Sequence, residues 1–230
     1  MIRPRALRDD PAGRQAAVAV LRGGGILAIP TDTVYGIAVG LATPGGIERL
    51  FAAKERPPDK AIMVLVADLA PVTDLVELPP AAAVLASLWP GGLTLVLPLL
   101  PGVRLPAALT AGTTTLGVRI PNHEVPRGLA REVGPLPTTS ANRSGAPDAT
   151  SADEVIASLG DRIEAVIDGG RSPGGVPSTV VDCTGATVRL LRSGAIPPER
   201  IAALLDAAGI AHELGGLDGE AQAAGRIVGR

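Results

Sequence analysis

Short apolar segments that end in proline, glycine or polar residues alternate along this chain with segments patterned as helices. The spacing of apolar residues predicts helices over 14–22, from Thr43-Pro44 to about 54, and over 80–89, 124–133, 151–159 and 198–208. It predicts strands over 26–29, 61–66, 93–97, 115–120, 136–140, 165–167, 179–182 and 188–191, the last two as a hairpin-like pair. Because helices and strands interleave, the chain is predicted to form one mixed α/β sheet with helices packed on it.

Aromatic residues are almost absent, so the core must be built from aliphatic side chains. Hydrophobic residues make up 46% of the 230 positions and charged residues 19%, which is a globular composition. The aromatic side chains are Tyr35, Phe51 and Trp89 alone. Proteins that bind single-stranded nucleic acid need aromatic side chains on which the bases stack, so this composition argues against that function. The net charge of −2 also gives no bulk attraction to a polyanion.

The sequence predicts a single domain over 1–210, followed by a Gly/Ala-rich and loosely ordered tail over 211–230. The single cysteine, Cys183, excludes an internal disulfide and is expected to be a buried, unreactive thiol. No apolar run reaches the length of a membrane span, and the N-terminus lacks the apolar stretch of a signal peptide. The expected location is therefore the cytoplasm, with no membrane contact.

Lysine is confined to one short segment. Of the 21 basic residues only Lys54 and Lys60 are lysines, and Arg56 lies between them. A compact ammonium group suits a phosphate, whereas the planar guanidinium suits bidentate pairing with an anion. The segment is therefore a candidate phosphate site, although a composition biased towards arginine would give the same pattern.

Several polar clusters follow apolar strands, at the positions where α/β sheets bind ligands. They are Pro30-Thr-Asp-Thr33, the 54–60 segment, Thr115 to Arg119, Ser140-Ala-Asn142-Arg-Ser144, Ser178-Thr179 and Arg192-Ser193. They offer hydroxyls, amides and cations but almost no general base, which suits the orientation and neutralisation of an anionic substrate. The first cluster could equally be a turn and the 140–144 cluster a self-capped polar loop. Arg119, inside an apolar strand, needs a carboxylate or phosphate partner if it points inward.

Other motif classes are missing. The chain has no dinucleotide-binding GxGxxG, no Walker-type phosphate loop and no GxSxG. His123 and His212 have no metal-ligand spacing, so no metal held by protein side chains is expected. The glycine-rich segment 169–175 is expected to be a mobile loop that could close over a ligand.

Together these blocks resemble the TsaC/YrdC family of threonylcarbamoyl-AMP synthases, over about residues 14–200. The blocks that carry the resemblance are GGILAIPTDTVYG (24–36), KERP (54–57), WPGGLT (89–94), GVRIP (117–121), TSANRSG (139–145) and GVPSTVVD (175–182). The family has a twisted mixed sheet around a deep concave cavity, and the same YrdC-like fold is implied here.

The resemblance also implies site residues. The family's Lys-x-Arg and Ser-x-Asn tetrad falls on Lys54, Arg56, Ser140 and Asn142 as the catalytic set. The implied ATP-binding residues are Arg56, Lys60, Thr115, Asn142, Thr150 and Arg192. The implied L-threonine-binding positions are Thr33, Leu65, Arg119, Ser140 and Ser178. Leu65 stands where some relatives carry a histidine, and Ser193 where proline often follows the arginine.

The implied reaction joins L-threonine, bicarbonate or CO2 and ATP into threonylcarbamoyl-AMP and pyrophosphate, for threonylcarbamoylation of adenosine in tRNA. Threonine's amine would form a carbamate, whose oxygen attacks the α-phosphorus of ATP; Mg²⁺ would be carried by the nucleotide. The implied partners are a downstream threonylcarbamoyl-transferase complex of the TsaD, TsaB and TsaE type, and tRNA or double-stranded RNA by direct contact.

Two other functions remain open at this point. One is a carbamoyl-adenylating relative, of the kind found inside larger hydrogenase-maturation or antibiotic-forming enzymes. The other is a non-catalytic module that binds double-stranded RNA or tRNA, for which RNA binding with a steep salt dependence but no ATP turnover would be diagnostic.

Overall fold

The computed structural model describes residues 3–57 and 60–215, and within them seven α-helices pack on one mixed sheet. The helices are α1 (Pro11–Arg22), α2 (Gly46–Lys54), α3 (Pro80–Leu85), α4 (Ala107–Thr110), α5 (Glu124–Val133), α6 (Ala152–Leu159) and α7 (Pro198–Ala207). The strands are β1 (Arg5–Arg8), β2 (Leu27–Ile29), β3 (Gly36–Ala38), β4 (Met63–Leu65), β5 (Leu93–Pro98), β6 (Thr115–Arg119), β7 (Leu136–Ser140), β8 (Ala165–Asp168), β9 (Thr179–Asp182), β10 (Val188–Arg192) and β11 (His212–Glu213). The predicted fold class, a single mixed α/β sheet with packed helices, is confirmed.

The strands lie in the order β1-β8-β2-β3-β7-β4-β6-β5-β9-β10-β11. Strand β8 runs parallel to β1 and β2, β4 to β6, β5 to β9, and β10 to β11; the other neighbours are antiparallel. The antiparallel pair of β9 and β10 confirms the predicted late hairpin-like pair. Distant parts of the chain thus meet at the centre of the sheet.

The two faces of the sheet are covered differently. Helices α2, α3, α4, α6 and α7 supply apolar side chains to one core, which also receives Val64, Leu95, Val118 and Val181 from the strands. Helices α1 and α5 pack on the opposite face, over strands β1 to β4 and over β7 and β8. Further along that second face, towards β10, the side chains of the strands instead line a cavity. Strand alternation therefore divides each central strand between a core and a cavity.

Helix caps follow the sequence closely at two ends. Asp10 caps α1 by accepting a hydrogen bond from the backbone N–H of Gly13 at 2.8 Å, with proline in the first turn. Ser151 caps α6 by accepting from the N–H of Glu154 at 3.3 Å, as a capping box predicts. The Glu154 carboxylate, however, accepts from the N–H of Thr150 at 2.7 Å rather than from that of Ser151.

The predicted helix start at Thr43-Pro44 is wrong. The N–H of Gly46 donates to the carbonyl oxygen of Thr43 at 3.1 Å, which closes a turn with Pro44 second and Gly45 third. Gly45 has φ +64° and ψ 6°, the conformation that a type II turn requires at that position. The helix consequently begins at Gly46, after the turn rather than inside it.

Four short elements were not predicted: β1, β3, α4 and β11. Strand β1 is largely exposed and rich in arginine, so it has no apolar alternation, and it is defined by its pairing with β8. Strand β3 has three residues and is held between β2 and β7. Tertiary pairing, rather than a local pattern, makes both of them strands.

The sheet extends beyond the domain boundary predicted at residue 210. His212 and Glu213 form β11 and pair with Val188 and Arg189 of β10. The remainder of the predicted tail, from residue 216, lies outside the described residues. The division into 1–210 and 211–230 therefore stays a prediction.

Cys183 is 1% exposed, and burial raises the pKa of its thiol to about 12. This matches the buried, unreactive cysteine expected from the sequence. None of the helices in the described part of the chain has the length and hydropathy needed to cross a membrane.

Candidate active site

A cavity of about 320 Å³ lies on the second face of the sheet. Eight of the residues implied by the resemblance line its wall: Thr33, Arg56, Leu65, Thr115, Arg119, Ser140, Ser178 and Arg192. They come from β4, β6, β7 and β10, from the turn after β2, from the segment after α2 and from the segment before β9. The predicted concave cavity is thus present, and it brings together residues up to about 160 positions apart in the sequence.

Arg119 is the largest buried polar side chain of the wall. It is 1% exposed and donates from Nε to the carbonyl oxygen of Gly91 at 3.0 Å. Its Nη1 donates to the Thr33 hydroxyl at 2.9 Å, and its Nη2 lies 2.6 Å from a carboxylate oxygen of Asp32. Burial lowers the pKa of the Arg119 guanidinium, and the Asp32 charge opposes that shift. The inward arginine has the carboxylate partner that its place in an apolar strand demanded.

The residue directly opposite Arg119 is Leu65, its partner in the parallel register of β4 and β6. Leu65 is fully buried and lines the cavity. The floor beside the guanidinium is therefore apolar at this point, because leucine supplies neither a donor nor an acceptor.

The Pro30 to Thr33 segment is both a turn and part of the wall. The Thr31 hydroxyl donates to the carbonyl oxygen of Val34 at 2.7 Å and accepts from the N–H of Thr33 at 3.0 Å. These bonds fix the turn that was one reading of the sequence. They also point the Thr33 hydroxyl at Arg119, so the turn and site interpretations hold together.

Ser178 and Arg192 are in direct contact. The Nε and Nη2 atoms of Arg192 donate to the Ser178 carbonyl oxygen at 3.0 and 2.8 Å, and Nη2 also donates to the Ser178 hydroxyl at 3.0 Å. The same hydroxyl lies 2.8 Å from that of Thr94, a cavity residue that the sequence did not single out. Burial lowers the pKa of Arg192, and the charge of Asp148 opposes this. The implied nucleotide and threonine residues therefore adjoin one another here.

Lys54 lies behind the wall rather than on it. Its side chain is 2% exposed, and its ammonium donates to the carbonyl oxygen of Ser140, to the Ser140 hydroxyl at 3.2 Å and to Oδ1 of Asn142 at 2.9 Å. Burial, with the nearby charge of Arg56, lowers the pKa of Lys54 to about 7. Three members of the implied tetrad thus form one hydrogen-bonded group, of which Ser140 faces the cavity.

Arg56, the fourth member, faces the cavity from the segment after α2. It donates from Nη2 to the carbonyl oxygen of Ala61 at 2.9 Å and from Nε to that of Lys60 at 3.2 Å. Its guanidinium carbon lies 5.6 Å from the centre of the Phe51 ring. Lys60 contributes its backbone here, and its side chain is not among the described residues of the wall.

Thr150 also lies outside the wall, in contact with the glycine-rich segment 169–175. Its hydroxyl donates to Glu154 at 3.0 Å and accepts from Arg171, which in turn donates to Glu154 at 3.1 Å. The N–H of Ser172 donates to the Thr150 carbonyl oxygen at 2.8 Å, and that of Gly175 to the Thr33 carbonyl oxygen at 2.9 Å. The segment predicted as a mobile loop is therefore hydrogen-bonded to Thr150, outside the wall, and to Thr33, on the wall.

Two acidic residues of the site, Asp32 and Asp148, were not predicted from the sequence. Asp32 lay within a recognised cluster but was given no role, and its pairing with Arg119 could have been suspected from the unpaired strand arginine. Asp148 is the one carboxylate among the described residues of the wall, and no pattern in the sequence marks it. Within residues 3–57 and 60–215, no group of three or more His, Cys, Asp or Glu side chains is placed to hold a metal ion.

Comparison with known proteins shows which family this chain matches. Residues 19–194 match the Sua5/YciO/YrdC family model, described as "Telomere recombination". A threonylcarbamoyl-AMP synthase of Bacillus subtilis is 39% identical over 200 residues, which cover 86% of this chain and 57% of that protein. A putative threonylcarbamoyl-AMP synthase of Mycobacterium tuberculosis is 38% identical over 202 residues, which cover 85% and 92%.

Solved structures agree with the sequence comparison. The crystal structure of Pyrococcus abyssi Sua5 complexed with L-threonine superposes with a TM-score of 0.83 at 35% identity, covering 93% of this chain and 63% of the other. Escherichia coli YciO gives a TM-score of 0.74 at 23% identity and covers 84% and 96%, which supports the fold alone. The chain therefore spans only part of the Bacillus and Pyrococcus proteins. By its sequence match and its fold, this chain belongs to the Sua5/YciO/YrdC family.

Proposed function

We propose that this protein is a nucleotidyltransferase that forms threonylcarbamoyl-AMP and pyrophosphate from L-threonine, bicarbonate or CO2 and ATP. The observation that carries the proposal is the cavity wall, which contains three arginines and four hydroxyl side chains. These residues are Arg56, Arg119, Arg192, Thr33, Thr115, Ser140 and Ser178. Relatives that are 38–39% identical bear the name of this activity, and the Pyrococcus neighbour was crystallised with L-threonine.

In this proposal the threonine carboxylate binds at Arg119. Three of the five guanidinium N–H groups have protein acceptors, which leaves one on each terminal nitrogen for a ligand. The hydroxyls of Thr33 and Ser178 and the apolar side chain of Leu65 border the same place. A polar carboxylate site beside an apolar surface suits a small amino acid with a methyl-bearing side chain.

The nucleotide is assigned to the part of the cavity that contains Arg56, Thr115 and Arg192. Both reacting partners, a carbamate and a triphosphate, are anionic, so cations are needed to offset their repulsion and the charge that grows in the transition state. Ser140, which the resemblance assigns to the catalytic set and to L-threonine, lines the same cavity, and its hydroxyl is hydrogen-bonded to Lys54 and to Asn142. Lys60, Asn142 and Thr150 remain assigned to ATP from the resemblance alone, because they are outside the described wall.

The chain's own groups orient and neutralise the substrates, and no protein nucleophile takes part. The threonine amine bonds to the carbon of CO2, losing a proton, and a carbamate oxygen then displaces pyrophosphate from the α-phosphorus. A magnesium ion carried by the triphosphate would supply further charge neutralisation, and Asp148 is the carboxylate of the wall that could contact it. One carboxylate fits an ion that keeps most of its phosphate and water ligands.

The proposed product serves threonylcarbamoylation of adenosine in tRNA, in the cytoplasm. A transferase complex of the TsaD, TsaB and TsaE type would consume the product, and direct tRNA or double-stranded-RNA contact is part of the same proposal. No described feature favours a second activity over this one.

A single assay tests the proposal: pyrophosphate release from ATP with each amino acid in turn, with and without bicarbonate. We expect release to require L-threonine and bicarbonate together, with threonylcarbamoyl-AMP identified by mass spectrometry. Release that prefers carbamoyl phosphate would instead identify a carbamoyl-adenylating enzyme. RNA binding without any ATP turnover would identify a binding module.

A further inference from the structure

Asp32 has no role in the reaction as described above, yet its carboxylate makes the shortest polar contact of Arg119. The distance between Asp32 Oδ1 and Arg119 Nη2 is 2.6 Å, and the two side chains are 14% and 2% exposed. Such a charge-assisted bond, removed from solvent, is among the strong ones. Its loss would leave the guanidinium without its only carboxylate contact in the described structure.

Each of the three guanidinium nitrogens of Arg119 donates to a different acceptor. The Gly91 carbonyl holds Nε, the Thr33 hydroxyl holds Nη1 and Asp32 holds Nη2. A planar guanidinium held at all three nitrogens cannot rotate about its last side-chain bonds. Of the three acceptors, only Asp32 carries charge, and only Asp32 and Thr33 can be altered by substitution of a side chain.

Asp32 itself is held in place by its backbone. A Cβ atom on Gly174 would lie 2.7 Å from the carbonyl oxygen of Asp32, so the glycine-rich segment packs directly on it. The next residue, Gly175, donates its N–H to the Thr33 carbonyl oxygen at 2.9 Å. The carboxylate therefore projects from a fixed support, as an orienting group must.

We propose that Asp32 is a positioning residue for the L-threonine site, and that it sets the direction in which Arg119 presents its two remaining N–H groups to the substrate carboxylate. This inference rests on the proposed function for the identity of the ligand. The orientation of Arg119 itself does not depend on that function. The test therefore needs one measurement without any substrate.

The substrate-free measurement is hydrogen exchange at Nε–H of Arg119 by NMR, assigned through its loss in Arg119→Lys. We expect Asp32→Ala to speed exchange by about tenfold or more, because a guanidinium that has lost its charge-assisted bond at Nη2 leaves the Gly91 carbonyl that protects Nε–H more often. Asp32→Asn keeps an acceptor oxygen and should stay within about threefold of the wild type. Unchanged exchange in Asp32→Ala would overturn the proposal.

The second measurement is calorimetric binding of L-threonine and of ATP, each alone. We expect Asp32→Ala to weaken threonine binding by about tenfold or more, with Asp32→Asn largely restoring it and ATP binding unchanged in both. Equal weakening of both ligands, together with a lowered Tm, would show a general structural role and overturn the proposal. Failure of the wild type to bind threonine would refute the proposed function, while the exchange result would still decide whether Asp32 positions Arg119.

Asp9 provides the matched control. Its carboxylate lies 2.6 Å from Nε of Arg14, the same distance as in the Asp32 pair, and it is outside the described cavity wall. Asp9→Ala should change neither the exchange at Arg119 nor the binding of either ligand. A threonine effect in Asp9→Ala equal to that in Asp32→Ala would overturn the assignment to Asp32.

Discussion

Lys54 and Asn142 are joined by a hydrogen bond of 2.9 Å, and the same Asn142 oxygen accepts the Ser140 hydroxyl at 2.6 Å. Lys54, which the sequence predicted as part of a phosphate site, thus donates its hydrogen bonds to two neutral side chains and a backbone carbonyl. Of this hydrogen-bonded group, only Ser140 lines the described cavity wall, so under the proposed function Lys54 acts on a substrate through Ser140.

The first prediction concerns the pH dependence of stability through Lys54. Its pKa falls from about 10.5 when unfolded to about 7 when folded, so between these values the unfolded chain binds a proton that the folded chain does not. The free energy of unfolding of the wild type should therefore rise relative to Lys54→Met as the pH rises, by about 2 kcal/mol between pH 7 and 9. Urea unfolding of both proteins across this range measures it, and parallel curves would contradict the lowered pKa.

Arg56→Ala should lower turnover by at least about 100-fold with the fold intact, because one preorganised cation facing the transition state is worth about 3 kcal/mol. Arg49 is the matched control, since it also donates to a backbone carbonyl but is exposed on α2 and outside the described wall. Arg49→Ala should be nearly normal. Pyrophosphate-release kinetics and circular dichroism compare the two, and near-normal turnover in folded Arg56→Ala would remove Arg56 from the catalytic set.

Arg119→Lys should raise the threonine KM by about tenfold or more and leave the ATP KM nearly unchanged. Lysine keeps the charge but cannot hold Gly91, Thr33 and Asp32 while offering two parallel N–H groups to a carboxylate. Because the ion pair with Asp32 is buried, some loss of Tm is also expected. Separate KM measurements decide the matter, and an unchanged threonine KM would exclude Arg119 from the threonine site.

Cys183 should not react with a thiol reagent in the folded protein. Burial raises the pKa of its thiol to about 12, so the reactive thiolate is scarce at pH 8. We expect one thiol per chain to react promptly in guanidinium chloride and none within minutes in native buffer. Rapid native labelling would show that the hydrophobic core around Cys183 opens readily.

The sequence predicted most of the strands that carry the cavity from their apolar runs, and β2, β7 and β10 also end in polar clusters. It could not predict β1 or β3, whose residues become strands by pairing with β8, β2 and β7 from distant parts of the chain. The turn at Pro44 and Gly45 was mistaken for a helix cap because proline favours both positions.

The candidate site, like the fold, was predicted from the sequence only in part. Residue types identified Arg119 as needing an anionic partner, and Asp32 could have been suspected, but a ligand carboxylate or phosphate would have met the same need. Lys54 was predicted to belong to a phosphate site, as the lysine of the implied catalytic set. Its burial behind Ser140 follows from how α2 packs against the end of β7, which is a tertiary relationship.

Tyr35 and Trp89 are the only tyrosine and tryptophan of the chain. Tyr35 lines the cavity, and Trp89 is hydrogen-bonded within the segment that holds Arg119. The Tyr35 hydroxyl bridges Gly169 and Gly170, and the Trp89 indole donates to the Leu93 carbonyl oxygen at 2.7 Å, two residues from the carbonyl that holds Arg119. Ultraviolet emission from this chain therefore comes from two known places, Tyr35 on the cavity wall and Trp89 beside the hydrophobic core. Titration of either substrate can be followed by intrinsic fluorescence, with no label and no ambiguity about which residue responds at wavelengths that excite tryptophan alone.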